Sequence, residues 1–275
     1  PIGNLRDVTL RALDVLRTAD VIAAEDTRHT RRLLDHYGID AKLVSAHEHN
    51  ERVAAQRVVT WLVAGRSVAL VTDAGTPGVS DPGAALVHEV RLAGCRVVPV
   101  PGPSAIIAAL SVAGIESSGF SFEGFLPAKK EARRHALERL LARETPTLMH
   151  EAPHRIRECV ADMLDVLGPA RRITFARELT KVFESVHECA LGAALDWLDT
   201  DPNHARGEFV LVVHGVAQPA DNGLHREGSR VLDLLMRELP PSQAAKLAAR
   251  ITGARKGDLY EEALRLKAAS DSPEN

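Results

Sequence analysis

The sequence has 275 residues, of which 45% are hydrophobic, 26% charged and 4% aromatic, and its formal net charge is −3. That length suits two domains of roughly 100–150 residues each, and the charge excludes a cationic coat over the whole surface while leaving local basic patches open. No apolar run approaches the ~20 residues of a membrane-spanning helix, so no membrane partner is expected. Cys95, Cys159 and Cys189 are odd in number and widely spaced, with no C-x-x-C pair. Such cysteines fit reduced thiols and a cytoplasmic location. The chain opens at Pro1 without Met and without a charged-then-apolar leader, and further residues upstream are expected.

In chain order, residues 8–19 carry apolar positions at helical spacing, with Asp7 placed as a cap. A short strand, 21–24, runs into the polar cluster Glu25-Asp-Thr-Arg28. A helix over 30–37 closes at Gly38, a strand is expected over 42–46, and a helix over 51–64 is entered from Asn50 and stopped by Gly65. Strand 68–72 leads into the glycine- and proline-rich loop 73–83, followed by helix 84–93, strand 96–100 and the turn Pro101-Gly-Pro-Ser104. Ser104 is placed to cap helix 105–113. Strands alternating with helices across short connections predict an α/β domain over 1–115 with a mainly parallel sheet. A second α/β domain is expected over 116–216, with a basic helix at 129–143, strands at 145–150, 173–176 and 209–213, a helix at 152–167 and some antiparallel pairing. Residues 217–223 read as a linker, and 224–275 as a small helical region ending in a polar, disordered stretch from 270.

Loop 73–83 sits where nucleotide-binding loops sit, yet it lacks both G-x-x-x-x-G-K-[ST] and G-x-G-x-x-G, and no Lys or Arg lies between Ser67 and Arg91. Asp73 and Asp81 make it electronegative, which suits a neutral or cationic, hydroxyl-rich ligand; the alternative is a loop whose glycines and prolines only set turn types. Glu25, Asp26 and Arg28 stand at a strand end, where ligands of open α/β sheets bind, or they form a capped helix start with a surface ion pair. His47-Glu-His49-Asn50 has H-x-H spacing but no evident third ligand, so no metal is expected. Two basic stretches, Lys129–Arg143 and Lys246–Lys256, read either as solvated helix faces or as contacts to a phosphate backbone, and the low aromatic content argues against base-stacking platforms.

Taken together, the strings Pro1-Ile-Gly-Asn-Leu-Arg-Asp7, Ala24-Glu-Asp-Thr-Arg28, Asp73-Ala-Gly-Thr-Pro-Gly-Val-Ser-Asp-Pro-Gly83, Pro101-Gly-Pro-Ser-Ala105, Glu151-Ala-Pro-His-Arg155, Arg177-Glu-Leu-Thr-Lys181 and Gly207-Glu-Phe-Val210 occur in order over about residues 1–267. The chain thereby resembles the ribosomal RNA small-subunit methyltransferase I family of the tetrapyrrole-methylase superfamily. The resemblance implies two α/β domains with S-adenosylmethionine held in the cleft between them, plus a small helical C-terminal tail. It also implies 2′-O-methylation of a cytidine in the decoding region of 16S rRNA, and a homodimer. The family pattern includes a strand ahead of the Pro-Ile-Gly-Asn segment, which this sequence does not contain.

Carried over by position, the resemblance assigns donor contacts to Ile2, Gly3, Asp73, Ala74, Gly75, Thr76, Ser104, Ala105, His150, Glu151 and Thr180. Glu25 or Asp26 is the candidate to orient or deprotonate the acceptor hydroxyl, with Arg28 on a neighbouring phosphate and His47 and Asn50 as secondary candidates. Lys129, Lys130, Arg133, Arg134, Lys246, Arg250, Arg255 and Lys256 are the candidate RNA contacts. Asp81 is expected to pin the turn before Pro82. The competing readings are a small-molecule tetrapyrrole methylase and a non-catalytic ligand- or RNA-binding module.

Overall fold

A computed structural model describes residues 1–47, 50–216 and 222–270. The expected linker at 217–221, the polar end at 271–275, and Glu48 and His49 lie outside the described residues.

The first sheet is parallel and three-stranded, in the order β2-β1-β3, with β1 at Val21–Ala24, β2 at Leu43–Ser45 and β3 at Val68–Val71. All four residues of β1 are buried, because helices cover both faces and successive side chains point to opposite sides. Ile22 packs with Leu13 and Leu16 of α1 (Leu10–Thr18) and Leu33 and Leu34 of α2 (Thr27–His36). Ala23 packs the other way, against Ala54, Ala55 and Val58 of α3 (Glu51–Val63) and Leu86 and Val90 of α4 (Ala84–Leu92). The cap of α1 is Thr9 rather than Asp7: its hydroxyl accepts from the Ala12 amide, satisfying a donor in the helix's first turn.

The expected strand at 96–100 does not form. Val97 and Val98 are exposed, and the sheet ends at β3. A β-branched run becomes a strand only where a neighbour takes up its amides and carbonyls, and here none is paired with it.

The second sheet is mixed, in the order β4-β5-β8-β6-β7. Only the β4 (Ser121–Phe125) to β5 (Thr147–Glu151) pairing is parallel; β8 (Phe209–Val213) lies antiparallel between β5 and β6 (Arg172–Arg177), and β7 (Ser185–Ala190) forms the far edge. Strands β4 and β7 carry no sequence signal, since neither has a continuous apolar run. On one face Met149, Phe175 and Leu211 pack with α6 (Lys130–Glu138), α7 (Ile156–Leu167) and α8 (Leu191–Thr200). Phe175 is fully buried against Trp197, with ring centroids 4.8 Å apart, and burying such a side chain contributes about 1.5–3 kcal/mol. The opposite face receives α5 (Ala105–Val112), whose Ile106 and Ala109 join Leu148, Val210 and Val212. Both sheets belong to one compact unit, residues 1–216.

The remainder of the chain is a second unit of three helices, α9 (Asn222–Met236), α10 (Pro241–Thr252) and α11 (Lys256–Ser270). Its core is built from small side chains, Ala244, Ala245, Ala248 and Ala263, around Leu232 and Leu259, which lets the helices approach closely. Gly253, at φ 78°, turns the chain from α10 to α11 in the left-handed region that glycine enters without steric cost. No helix among the described residues is long and apolar enough to cross a membrane, and all three cysteines are free thiols.

Candidate active site in the cleft between the two sheets

The strand-end loops of the first sheet and the β5 end of the second sheet enclose a cavity of about 480 Å³. Ala74, Gly75 and Thr76 reach it from the loop after β3, Ser104 and Ala105 from the start of α5, His150 and Glu151 from β5, and Ile2 from the N-terminal segment. Residues far apart in sequence thus share one wall, as the topology of an open α/β sheet dictates. Gly3 and Asp73 border an adjoining cavity of about 630 Å³ that runs along β3 towards Val100. Thr180 lines neither; its buried hydroxyl has no hydrogen-bond partner, and a Cβ on Gly3 would lie 3.1 Å from it and 2.6 Å from Lys181 Cγ. Gly3, at φ 142°, is therefore required by the close approach of the 178–181 loop.

The acidic cluster at the ends of β1 and β3 is laced together. Glu25 Oε2 accepts from the Thr72 hydroxyl at 2.6 Å and from the Asp73 amide at 3.2 Å, and Asp73 Oδ1 accepts from the Asp26 amide at 3.0 Å. Glu25 thus holds the start of loop 73–83 in place. Asp26 caps α2 through the Arg28 amide at 2.8 Å and grips the Arg28 guanidinium, and those hydrogen bonds hold its carboxyl well below the usual carboxylate range. Glu25, Asp26 and Arg28 line neither cavity, so the expectation that Glu25 or Asp26 faces the acceptor hydroxyl meets carboxylates already engaged elsewhere. Asp81 does line the 480 Å³ cavity, where burial and the nearby charges of Glu25 and Asp73 push its carboxyl up to about 6, against the opposing influence of the neighbouring Thr72 hydroxyl.

On the other wall, His150 contacts the rings of Phe122 and Phe125 at 5.3 and 5.4 Å, and burial pushes its imidazole pKa down against the pull of the Glu208 charge. That shift favours the neutral imidazole. Glu151 is buried and ion-paired with Arg155 at 3.2 Å, which offsets the cost of its charge in the interior. Three non-glycine residues have positive φ among the described residues: Ser80 (62°), Glu178 (50°) and Thr180 (69°). Ser80 lines the cavity, and the other two flank Leu179, which also lines it; such backbone strain concentrates at functional sites.

Sequence reasoning missed Phe125, Lys181 and Glu208 as parts of this region. Lys181 bridges Glu178 and Glu208 at 2.9 Å each; the strings at 177–181 and 207–210 contain these residues and were the available signal, whereas Phe125 had none. Of the candidate RNA contacts, Arg133 is corrected: it is buried, its Nε bonds Asp162 Oδ2 at 2.7 Å, and Nη1 donates to the Ala128 carbonyl. Arg134 pairs with Asp165 at 2.9 Å, and Lys130 reaches to 3.9 Å from Asp162, while Lys129 is exposed. Lys246, Arg250, Arg255 and Lys256 are exposed, and no ion pair engages them among the described residues. His47 donates its amide to Asn50 Oδ1, and among the described residues no three His, Cys, Asp or Glu side chains converge as metal ligands would.

A parallel sheet facing a mixed sheet, with an electronegative cleft at their strand ends, defines a class of α/β ligand-binding enzyme in which the phosphate-cradling lysine is absent. The family model described as tetrapyrrole (corrin/porphyrin) methylases matches residues 1–195, and that described as the RsmI C-terminal HTH domain matches residues 223–267. The chain belongs to the tetrapyrrole methylase family and is a methyltransferase. It is 52% identical over 260 residues, 94% of this chain and 95% of the relative, to ribosomal RNA small subunit methyltransferase I of Xylella fastidiosa (strain Temecula1). The protein of the same name from Escherichia coli O157:H7 is 49% identical over 96% of this chain and 92% of its own length. Among solved structures, the methyltransferase CobJ superposes with a TM-score of 0.58 at 21% identity, covering 78% of this chain and 91% of that one. Uroporphyrin-III-C-methyltransferase from Thermus thermophilus gives 0.55 at 21% identity, covering 82% and 94%. At that identity the two structures speak for the fold alone.

Proposed function

We propose that this protein transfers a methyl group from S-adenosylmethionine to the ribose 2′-hydroxyl of a cytidine in the decoding region of 16S rRNA, in the cytoplasm and as a homodimer. The observation that most supports the reading is the near full-length identity of about half to relatives named for small-subunit rRNA methylation, joined to the C-terminal match over 223–267. A tetrapyrrole acceptor has no such support.

The cavity suits the donor. Carboxylates of Glu151 and the nearby Asp73 give it the sign that complements a sulfonium and an α-ammonium group. Bound there, S-adenosylmethionine supplies an electrophilic methyl carbon. The protein's own task is alignment. Backbone at 74–76 and at 104–105 sets the donor's position, Glu25 fixes Asp73 by pinning its amide, and the apolar wall of Ile2, Leu179 and Val210 excludes water. His150 and the exposed Phe125 ring, both on the cavity wall, serve as contacts for the acceptor nucleoside. Arg28, exposed at the start of α2, and the free cations Lys246, Arg250, Arg255 and Lys256 of the helical unit serve the phosphate backbone. Exposed Val182 and Phe183, on the loop after β6, are offered as a contact between protomers.

Incubation with methyl-labelled S-adenosylmethionine and, in parallel, isolated small subunits, naked 16S rRNA and uroporphyrinogen tests the reading. Label is expected in the ribose of one 16S cytidine. Transfer to the tetrapyrrole alone would refute it.

A further inference from the structure

Four carboxylates gather where the donor loop leaves the first sheet, and three of them already have amide donors. Glu25 takes the Asp73 amide, Asp73 takes the Asp26 amide, and Glu51 of α3 takes the amides of Gly83 and Leu86 at 2.9 and 3.0 Å. Glu51 therefore caps α4 and closes the turn after Pro82, which is the task the sequence suggests for Asp81. Among the described residues no backbone amide donates to Asp81. The Thr72 hydroxyl beside it donates its one proton to Glu25 at 2.6 Å. The loop nonetheless holds Asp81 firmly on the wall of the 480 Å³ cavity. Ser80 before it adopts φ 62°, and Ser80 Oγ packs so close to Gly124 of β4 that a Cβ there would lie 3.1 Å from it. A strained loop that presents a carboxylate with no structural hydrogen bond to the reaction cavity is a functional arrangement.

We propose that Asp81 is the catalytic residue that takes the proton from the attacking hydroxyl, an assignment that rests on the methyl-transfer reading above. The hydroxyl oxygen bonds to the methyl carbon and displaces the sulfur together with the carbon–sulfur electron pair, while its proton passes to an Asp81 carboxylate oxygen. One positive and one negative charge disappear in the same step. Glu25 and Asp73, facing Asp81 from the ends of β1 and β3, add to the burial that makes it a stronger base than an ordinary carboxylate, yet one still ionised at pH 7.

Asp81→Asn is expected to lower the single-turnover rate on isolated small subunits by roughly 10²–10⁴-fold. S-adenosylmethionine affinity, measured by calorimetry, should stay within about twofold, because the residue acts on the acceptor. In the unloaded protein, carboxyl-carbon NMR should show one aspartate titrating near pH 6, absent from the variant, and the wild-type rate should fall on the acid side at the same pH. A rate within about threefold of wild type overturns the assignment, as does a loss of donor affinity in step with the rate. Should Asp81→Asn fail to fold, Asp81→Glu decides: a displaced acid limb upholds the role and an undisplaced one overturns it. If the wild type moves no methyl to small subunits, the substrate reading fails instead, and the NMR titration still reports on Asp81.

Discussion

The basic stretches Lys129–Arg143 and Lys246–Lys256 look alike in sequence and end in opposite situations. In the first, Arg133 is buried and Asp162 gathers it together with Arg134 and Lys130, so half of its six cations join α6 to α7, and Arg139 and Arg143 pair with Glu123 of β4. In the second, the four cations stand in solvent on α10 and at the start of α11, without ion pairs among the described residues. Composition does not separate a cation that holds the fold from one free to meet phosphate; its partners do. The carboxylates of the cleft repeat the contrast. Glu25, Asp73 and Glu51 accept amides and shape loops, while Asp81 accepts none and faces the cavity.

If partners define the role, removing an engaged charge should cost stability and removing a free one should cost function. The largest effect is expected for Arg133→Ala, which takes from the buried Asp162 its partner at 2.7 Å and leaves it Arg134 and Lys130 at 3.7 and 3.9 Å: about 3 kcal/mol lost in urea unfolding. The double change Arg133→Met with Asp162→Leu should recover most of that, and equal destabilisation in both would break the comparison. Reversing the free cations, as Lys246→Glu, Arg250→Glu and Arg255→Glu together, should weaken rRNA binding roughly 100-fold at low salt. The slope of log affinity against log salt should fall by about 0.7–0.9 for each phosphate that is no longer neutralised. The melting temperature should hardly move, and a collapse of the helical unit would make those residues structural.

Glu51→Ala uncaps α4 and should cost about 1–2 kcal/mol, with the loop before it loosened and donor affinity reduced. Asp81→Asn should do the reverse to stability. A carboxyl raised to about 6 in the folded protein favours folding below its unfolded value near 4, and that advantage is lost as pH rises through 6. The variant should therefore be the more stable protein above pH 6, by about 1 kcal/mol for a half-exposed group, and indistinguishable from wild type near pH 4. Lys130→Ala, removing an exposed cation 3.9 Å from Asp162, should change stability by less than about 0.5 kcal/mol.

Much of this was legible in the chain. Strands β1, β3 and β8, helices α3, α4 and α5, and the helical character of the C-terminal region follow from apolar spacing and terminal residues, because local burial patterns and caps are written locally. Strands β4 and β7 were not legible, since an edge or half-buried strand needs no apolar run. The run at 96–100 had strand chemistry and formed none, for a strand is a property of a pair. At the site, the loops at 74–76, 104–105 and 150–151 were marked by their position after strands or before a helix, and they line one cavity, while Asp73 borders the adjoining one.

The alternation of strands and helices, the sign of the donor loop's charge and the family to which the strings belong are carried by the chain alone, because each rests on neighbours within it. What each charge does emerged only in the folded molecule. Arg133 became an interior tie because α7 brings Asp162 to it, 29 residues away, and Asp81 was left facing the cavity because Glu51, 32 residues before Gly83, reaches across to cap the turn. Such assignments depend on which side chain arrives first at an unsatisfied donor, and that is settled by packing between elements rather than by spacing within one.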